Sequence, residues 1–142
     1  MKKLFLFVSA VALTVSLNSC SSDSGGGSSM SMKVGGVKKS FKTVAYSSAG
    51  TTSVYGYIGN IDTPTESVDF NVEAGTGADK ITGFYYDNTT DSYSPVTFTS
   101  NVTKNSASSV KGTFSGTLEP FSGGTNVVIT EGTFSSSVTA AP

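Results

Sequence analysis

Residues 67–74 read Ser-Val-Asp-Phe-Asn-Val-Glu-Ala, and this alternation constrains the fold more than any other feature. On an extended backbone Val68, Phe70, Val72 and Ala74 point one way, and Asp69, Asn71 and Glu73 point the other. Such a segment has one dry face and one wet face, which is the pattern of an antiparallel strand over a core. No window of ten or more residues in the domain shows a helical period instead. β-branched and aromatic enrichment between turn clusters predicts further strands at 31–34, 38–47, 53–61, 80–86, 93–100, 109–119 and 127–138, with 101–104 continuing the strand at 93–100 or pairing separately. Gly35-Gly36 between the first two suits a tight hairpin, because both residues tolerate φ > 0. Pro95 suggests an edge position for its strand. Eight to ten short strands at this spacing predict an all-β fold, either an antiparallel β-sandwich or a small β-barrel.

The residues that are missing narrow the chemistry. The chain has no His, no Arg and a single Cys among 142 residues. Without imidazole there is no Ser-His-Asp or Cys-His arrangement. One Cys and no His do not supply the ligands of a usual zinc site. Without Arg there is no bidentate clamp for phosphate or carboxylate.

The first 19 residues read as a removable leader. Met1-Lys2-Lys3 is a positive start, and the apolar run 4–17 is 14 residues long. A spanning helix needs about 20, so the run fits a secretory signal instead. It closes on Leu17-Asn18-Ser19-Cys20, which resembles the lipobox of bacterial lipoproteins. That resemblance implies cleavage before Cys20 and acylation of its sulfur and its new amino group. The mature chain then keeps 7 Lys against 10 acids, a formal charge of −3, which argues against nucleic acid as a partner. After Cys20, residues as far as 31 carry little beyond Ser and Gly, and 20–31 is expected to be a flexible tether with an r.m.s. span of roughly 15–20 Å. Residues 32–142 are expected to form a single all-β domain. Cys20-Ser21-Ser22-Asp23 is similar to the start of many Bacteroidota lipoproteins, where acidic residues near the Cys imply display at the cell surface rather than on the periplasmic face of the outer membrane.

An internal echo predicts a register. Gly112-Thr113-Phe114-Ser115 recurs as Gly132-Thr133-Phe134-Ser135. In an antiparallel hairpin, one register sets Phe114 opposite Gly132 and Phe134 opposite Gly112, so that each ring covers a bare glycine backbone. This closing pair of strands, together with Met32-Lys33-Val34-Gly35-Gly36-Val37 near the start, resembles small uncharacterised Bacteroidota lipoproteins of about this length. The resemblance implies lipid anchoring at Cys20 and carries over no other function.

The remaining constellations are weak. Asp69 and Glu73 share a strand face but stand roughly 13 Å apart, beyond the ~5–9.5 Å of glycosidase carboxylate pairs; Glu119 and Glu131 are the cross-strand acids left to place. Asp87-Asn88-Thr89-Thr90-Asp91 is oxygen-rich but lacks the glycine and alternation of a calcium loop, and reads as an Asx turn. Residues 75–80 are glycine-rich without phosphate-loop spacing. Lys38, Lys39 and Lys42 read as the lysines of an edge strand. Tyrosines carry the one binding expectation: Tyr85, Tyr86 and Tyr93, with Tyr55 and Tyr57 on another strand, would offer apolar area with polar tips to a sugar or a protein. Half the rings filling the core is the competing reading. The function expected is non-enzymatic and without cofactor: binding, adhesion or envelope structure by a protein held in the membrane through Cys20. The alternative is a barrel that encloses a lipid or glycan, and a carboxylate-based hydrolase comes third.

Overall fold

A computed structural model of the chain describes residues 27–142. The expected leader, Cys20 and the expected tether as far as residue 26 lie outside the described residues. The strands are β1 (Ser29–Val34), β2 (Val37–Ser48), β3 (Thr51–Gly59), β4 (Pro64–Val72), β5 (Gly77–Ala78), β6 (Ile81–Asp87), β7 (Ser92–Asn105), β8 (Ser109–Pro120) and β9 (Val127–Ala140). No helix occurs among the described residues. Apart from the two-residue β5, which pairs with β7, each strand is bonded to the next in sequence. β9 returns to pair antiparallel with β1. The sheet is therefore a closed, eight-stranded antiparallel barrel. Closure joins the two ends of the domain, from Ser29 beside Ser135 to Val34 beside Ile129. It removes the free edges that a sandwich would have kept.

Three expectations need correction. Residues 29–31 do not belong to a tether, because Ser29, Met30 and Ser31 already pair with β2 on one side and β9 on the other. The lysine-bearing strand β2 is no edge, since β1 and β3 flank it. Its alternation turns Lys39 inward with Phe41, Thr43 and Ala45, and leaves Lys38 and Lys42 outside. Pro95 sits in a strand with neighbours on both sides, yet it pairs only with Leu118 of β8 and has no partner on the β6 side. β6 pairs with β7 only at Tyr86–Tyr93 and Asp87–Ser92, and a bulge interrupts the β7–β8 ladder between Pro95 and Thr97. A residue without an N–H is tolerated there.

The interior is solid through its middle. Phe70, Phe84, Phe98, Phe114 and Phe134 come from five strands and meet inside, with ring centroids 4.7–6.3 Å apart. Each fully buried ring of this kind is worth about 1.5–3 kcal/mol of burial. Met30 and Met32 fill the β1 side, and Gly56 leaves room for the Met30 thioether, 3.2 Å from where a Cβ would stand. The predicted register holds: Phe114 faces Gly132 and Phe134 faces Gly112. A Cβ on Gly132 would lie 2.5 Å from the Phe114 ring, and one on Gly112 would lie 2.7 Å from the Phe134 ring. The glycines are thus sockets for the rings. Glu131 beside the socket takes φ +52° at the bulge that follows Phe114, and its carboxylate bonds Lys33 at 2.7 Å.

Outward positions are mostly Ser, Thr, Lys and Asp, as on β4 and β8. Apolar inside and polar outside is the reverse of a membrane-spanning barrel.

Candidate functional site

Adjacent residues on a strand face opposite ways, and this separates the three tyrosines expected to act together. Tyr86 points into the barrel and is 2% exposed, whereas Tyr85 points out and is 43% exposed. Tyr93 follows Tyr86, with ring centroids 5.5 Å apart. Tyr85, Tyr86 and Tyr93 therefore share no surface, which corrects the expectation of one platform.

Tyr86 belongs to a polar plug near one end of the barrel. Its hydroxyl donates to Glu66 Oε2 at 2.6 Å, and Lys39 Nζ donates to Glu66 Oε1 at 2.6 Å. A half-buried carboxylate needs such partners to offset its lost hydration. Burial, and then the Glu66 carboxylate, hold the Tyr86 phenol well above its ordinary pKa, so it stays a neutral donor. All three side chains are committed to one another.

The outward aromatic rings lie on the outer wall of β2, β3, β4 and β6, where Tyr46 and Tyr85 are exposed and Tyr55 and Tyr57 are half-buried. Cross-strand register sets two rows there. One runs Val44, Tyr55, Asp69, Tyr85; the other runs Lys42, Tyr57, Ser67, Asp87. The Tyr55 and Tyr57 rings are stacked, with centroids 5.9 Å apart and planes 19° from parallel. Phe121, from the β8–β9 connection, meets the Tyr85 ring edge-on at 6.1 Å. Tyr46 extends the wall beside Ser53. Ser67 faces outward yet is only 8% exposed, so it is the low floor between taller neighbours. Burial, and then repulsion from Asp87, raise the pKa of Asp69. Neither Asp69 nor Asp87 takes part in an ion pair among the described residues.

The opposite wall offers hydroxyls. Thr99 pairs with Ser115 at 3.1 Å and Ser31 with Thr133 at 3.2 Å. A shallow depression of about 450 Å³ lies there, lined by Thr99, Asn101, Thr113, Ser115, Glu131 and Thr133. Its one charged group, Glu131, is tied to Lys33.

The polar groups of the loops singled out in the sequence are taken up by hydrogen bonds within the protein. Asn88 Oδ1 accepts from the N–H groups of Thr90 and Asp91. Asp91 accepts from the N–H groups of Ser92 and Ser122 and from the Ser122 hydroxyl, and these bonds hold its pKa below the usual range. The 75–80 loop straps the β6–β7 gap: β5 bonds β7, and Asn105 Nδ2 donates to the carbonyls of Glu73 and Gly75. Of the acids weighed as a hydrolytic pair, Glu131 is bound to Lys33, and Asp69 has Asp87 as its diagonal neighbour across β4 and β6. Asp69 and Asp87 both face outward, on β4 and β6.

Asp87 and Phe121 were not singled out in the sequence as surface partners of the tyrosines. Parity along each strand carried part of the signal, since Tyr55, Tyr57 and Asp69 all fall on wet faces. The register that brings them side by side is a tertiary fact. Comparison with protein-family models, curated proteins and solved structures finds no match to the chain.

Proposed function

We propose that the chain is a lipid-anchored, non-enzymatic binding protein of the outer membrane, displayed at the cell surface, whose outer tyrosine wall binds a glycan. The lipobox resemblance around Cys20 supports the anchor. The solid phenylalanine interior supports a site on the wall rather than inside the barrel. The observation that carries the reading is the cluster of Tyr55, Tyr57 and Tyr85 on one outer face, on the far side of the wall from the phenylalanine core. Aromatic rings present flat apolar area to the C–H face of a sugar, and their hydroxyls and the nearby carboxylates accept or donate hydrogen bonds.

The test is retention of the full mature chain, extracted in mild detergent, on immobilised cell-envelope polysaccharide. Tyr55→Ala and Tyr85→Ala are expected to abolish retention while the far-ultraviolet circular dichroism stays that of the parent. Retention unchanged by both would reject the wall as the site. For the anchor, a palmitate-analogue label is expected on the parent and absent from Cys20→Ser, with surface protease reaching the labelled protein on intact cells.

A further inference from the structure

The tyrosine wall has a charge feature that narrows its ligand. Across β3, β4 and β6, the side chains form a grid of two rows: Tyr57, Ser67, Asp87 above Tyr55, Asp69, Tyr85. Neighbouring strands lie about 4.8 Å apart and alternate residues about 6.7 Å apart, so the grid covers roughly 10 by 7 Å, the footprint of one sugar residue with its substituents. Asp69 stands directly between two phenol rings. Asp87 stands diagonally across from it, with Ser67 as the sunken point between Tyr57 and Asp87.

No ion pair among the described residues answers these carboxylates. Lys33 is bound to Glu131 and Lys39 to Glu66. Lys42 lies in the same row as Asp87 but on β2, three strands away. A neutral ligand lying over the grid would strip water from Asp69 and return no charge, which costs free energy. An ammonium group returns the charge, forms strong hydrogen bonds to the carboxylates, and meets the negative faces of the flanking rings. Burial, and then the nearby Asp87, raise the pKa of Asp69, and a cation bound beside it acts in the opposite direction.

We infer that the wall recognises a glycan bearing free, positively charged amino groups, held by Asp69 and Asp87 while its ring lies on Tyr55 and Tyr85. This inference rests on the glycan reading above and names the class of sugar.

The full mature chain in mild detergent is titrated with three hexasaccharides: glucosamine, N-acetylglucosamine and glucose oligomers, at a pH where the glucosamine amine is protonated. The glucosamine oligomer is expected to bind at least tenfold more tightly than the other two. Asp69→Asn and Asp87→Asn should each weaken it about tenfold and leave the weak glucose binding unchanged. Added salt should weaken it further. Circular dichroism checks that each near-isosteric variant is folded. Equal binding of all three oligomers, or indifference to both Asp→Asn changes, overturns the amine inference and leaves the glycan reading standing. If none of the three binds a folded chain, this inference falls together with the assignment of the wall to glycans.

Discussion

The β7–β8–β9–β1 side of the barrel and the β2–β3–β4–β6 side cover the same interior with different means. On the first, glycine sockets receive Phe114 and Phe134, and the outer hydroxyls bond to one another across the strands. On the second, the outer surface holds large rings and two carboxylates that make no ion pair among the described residues. The first side places its large residues where they hold strands in register. The second adds to its inward Phe70, Phe84 and Tyr86 a set of outward rings that contact one another and Phe121, and aromatic area left at a surface is available for recognition. The glycine sockets and the outer tyrosines therefore lie on different walls.

The largest effect that would break this comparison lies inside the glycine-socket side. Phe114→Ala leaves a cavity beside four other rings and is expected to lower stability by about 3–5 kcal/mol in urea unfolding. A loss below about 1 kcal/mol would mean that the ring is not what keys β8 to β9. Gly132→Ala adds only a methyl group, yet its Cβ would meet both the Phe114 ring and the Phe114 carbonyl oxygen at 2.5 Å. Its expected cost is about 3 kcal/mol, at the upper end of overpacking.

The polar plug gives the next effect. Tyr86→Phe removes a donor from half-buried Glu66 and should cost about 1–2 kcal/mol. The folded phenol holds its proton above the ordinary Tyr pKa of 10.0, whereas the unfolded one loses it there. The folded state then binds more protons, so stability falls as pH rises beyond about 10. Tyr86→Phe should flatten that limb of the pH curve, because the phenylalanine side chain has no proton to lose.

The smallest effect sharpens the comparison from the tyrosine side, where it has the opposite sign. The folded pKa of Asp69 is raised above 3.8, so its charge is a cost at neutral pH, and stability falls as pH rises through the window just above 3.8. Asp69→Asn should raise stability by roughly 0.3 kcal/mol, the screened remainder at so open a position, while it weakens the binding proposed above. A destabilised Asp69→Asn would show that the carboxylate serves the fold.

Much of this architecture was legible because it is local. The strands follow from alternation, Gly35-Gly36 takes φ +56° and +85° in the tight turn its glycines imply, and two copies of one motif were enough to set Phe114 against Gly132. Barrel closure was not legible, since the pairing of β1 with β9 leaves no mark within either strand. The lysines of β2 misled for the same reason: Lys39 turns inward to a carboxylate from β4. The division of Tyr85 from Tyr86 was already implied by their adjacency. The partnership of Tyr55, Asp69 and Tyr85 needed three strands to be laid in order.

One last consequence follows from how the chain joins the barrel. β1 starts part-way along the wall at Ser29, bonded on both flanks, and beyond it β2 and β9 close directly on each other from Ala45–Val138 to Ser47–Ala140. Tension arriving through the preceding residues pulls lengthwise on β1. Both of its ladders are then loaded together in shear instead of being unzipped one bond at a time.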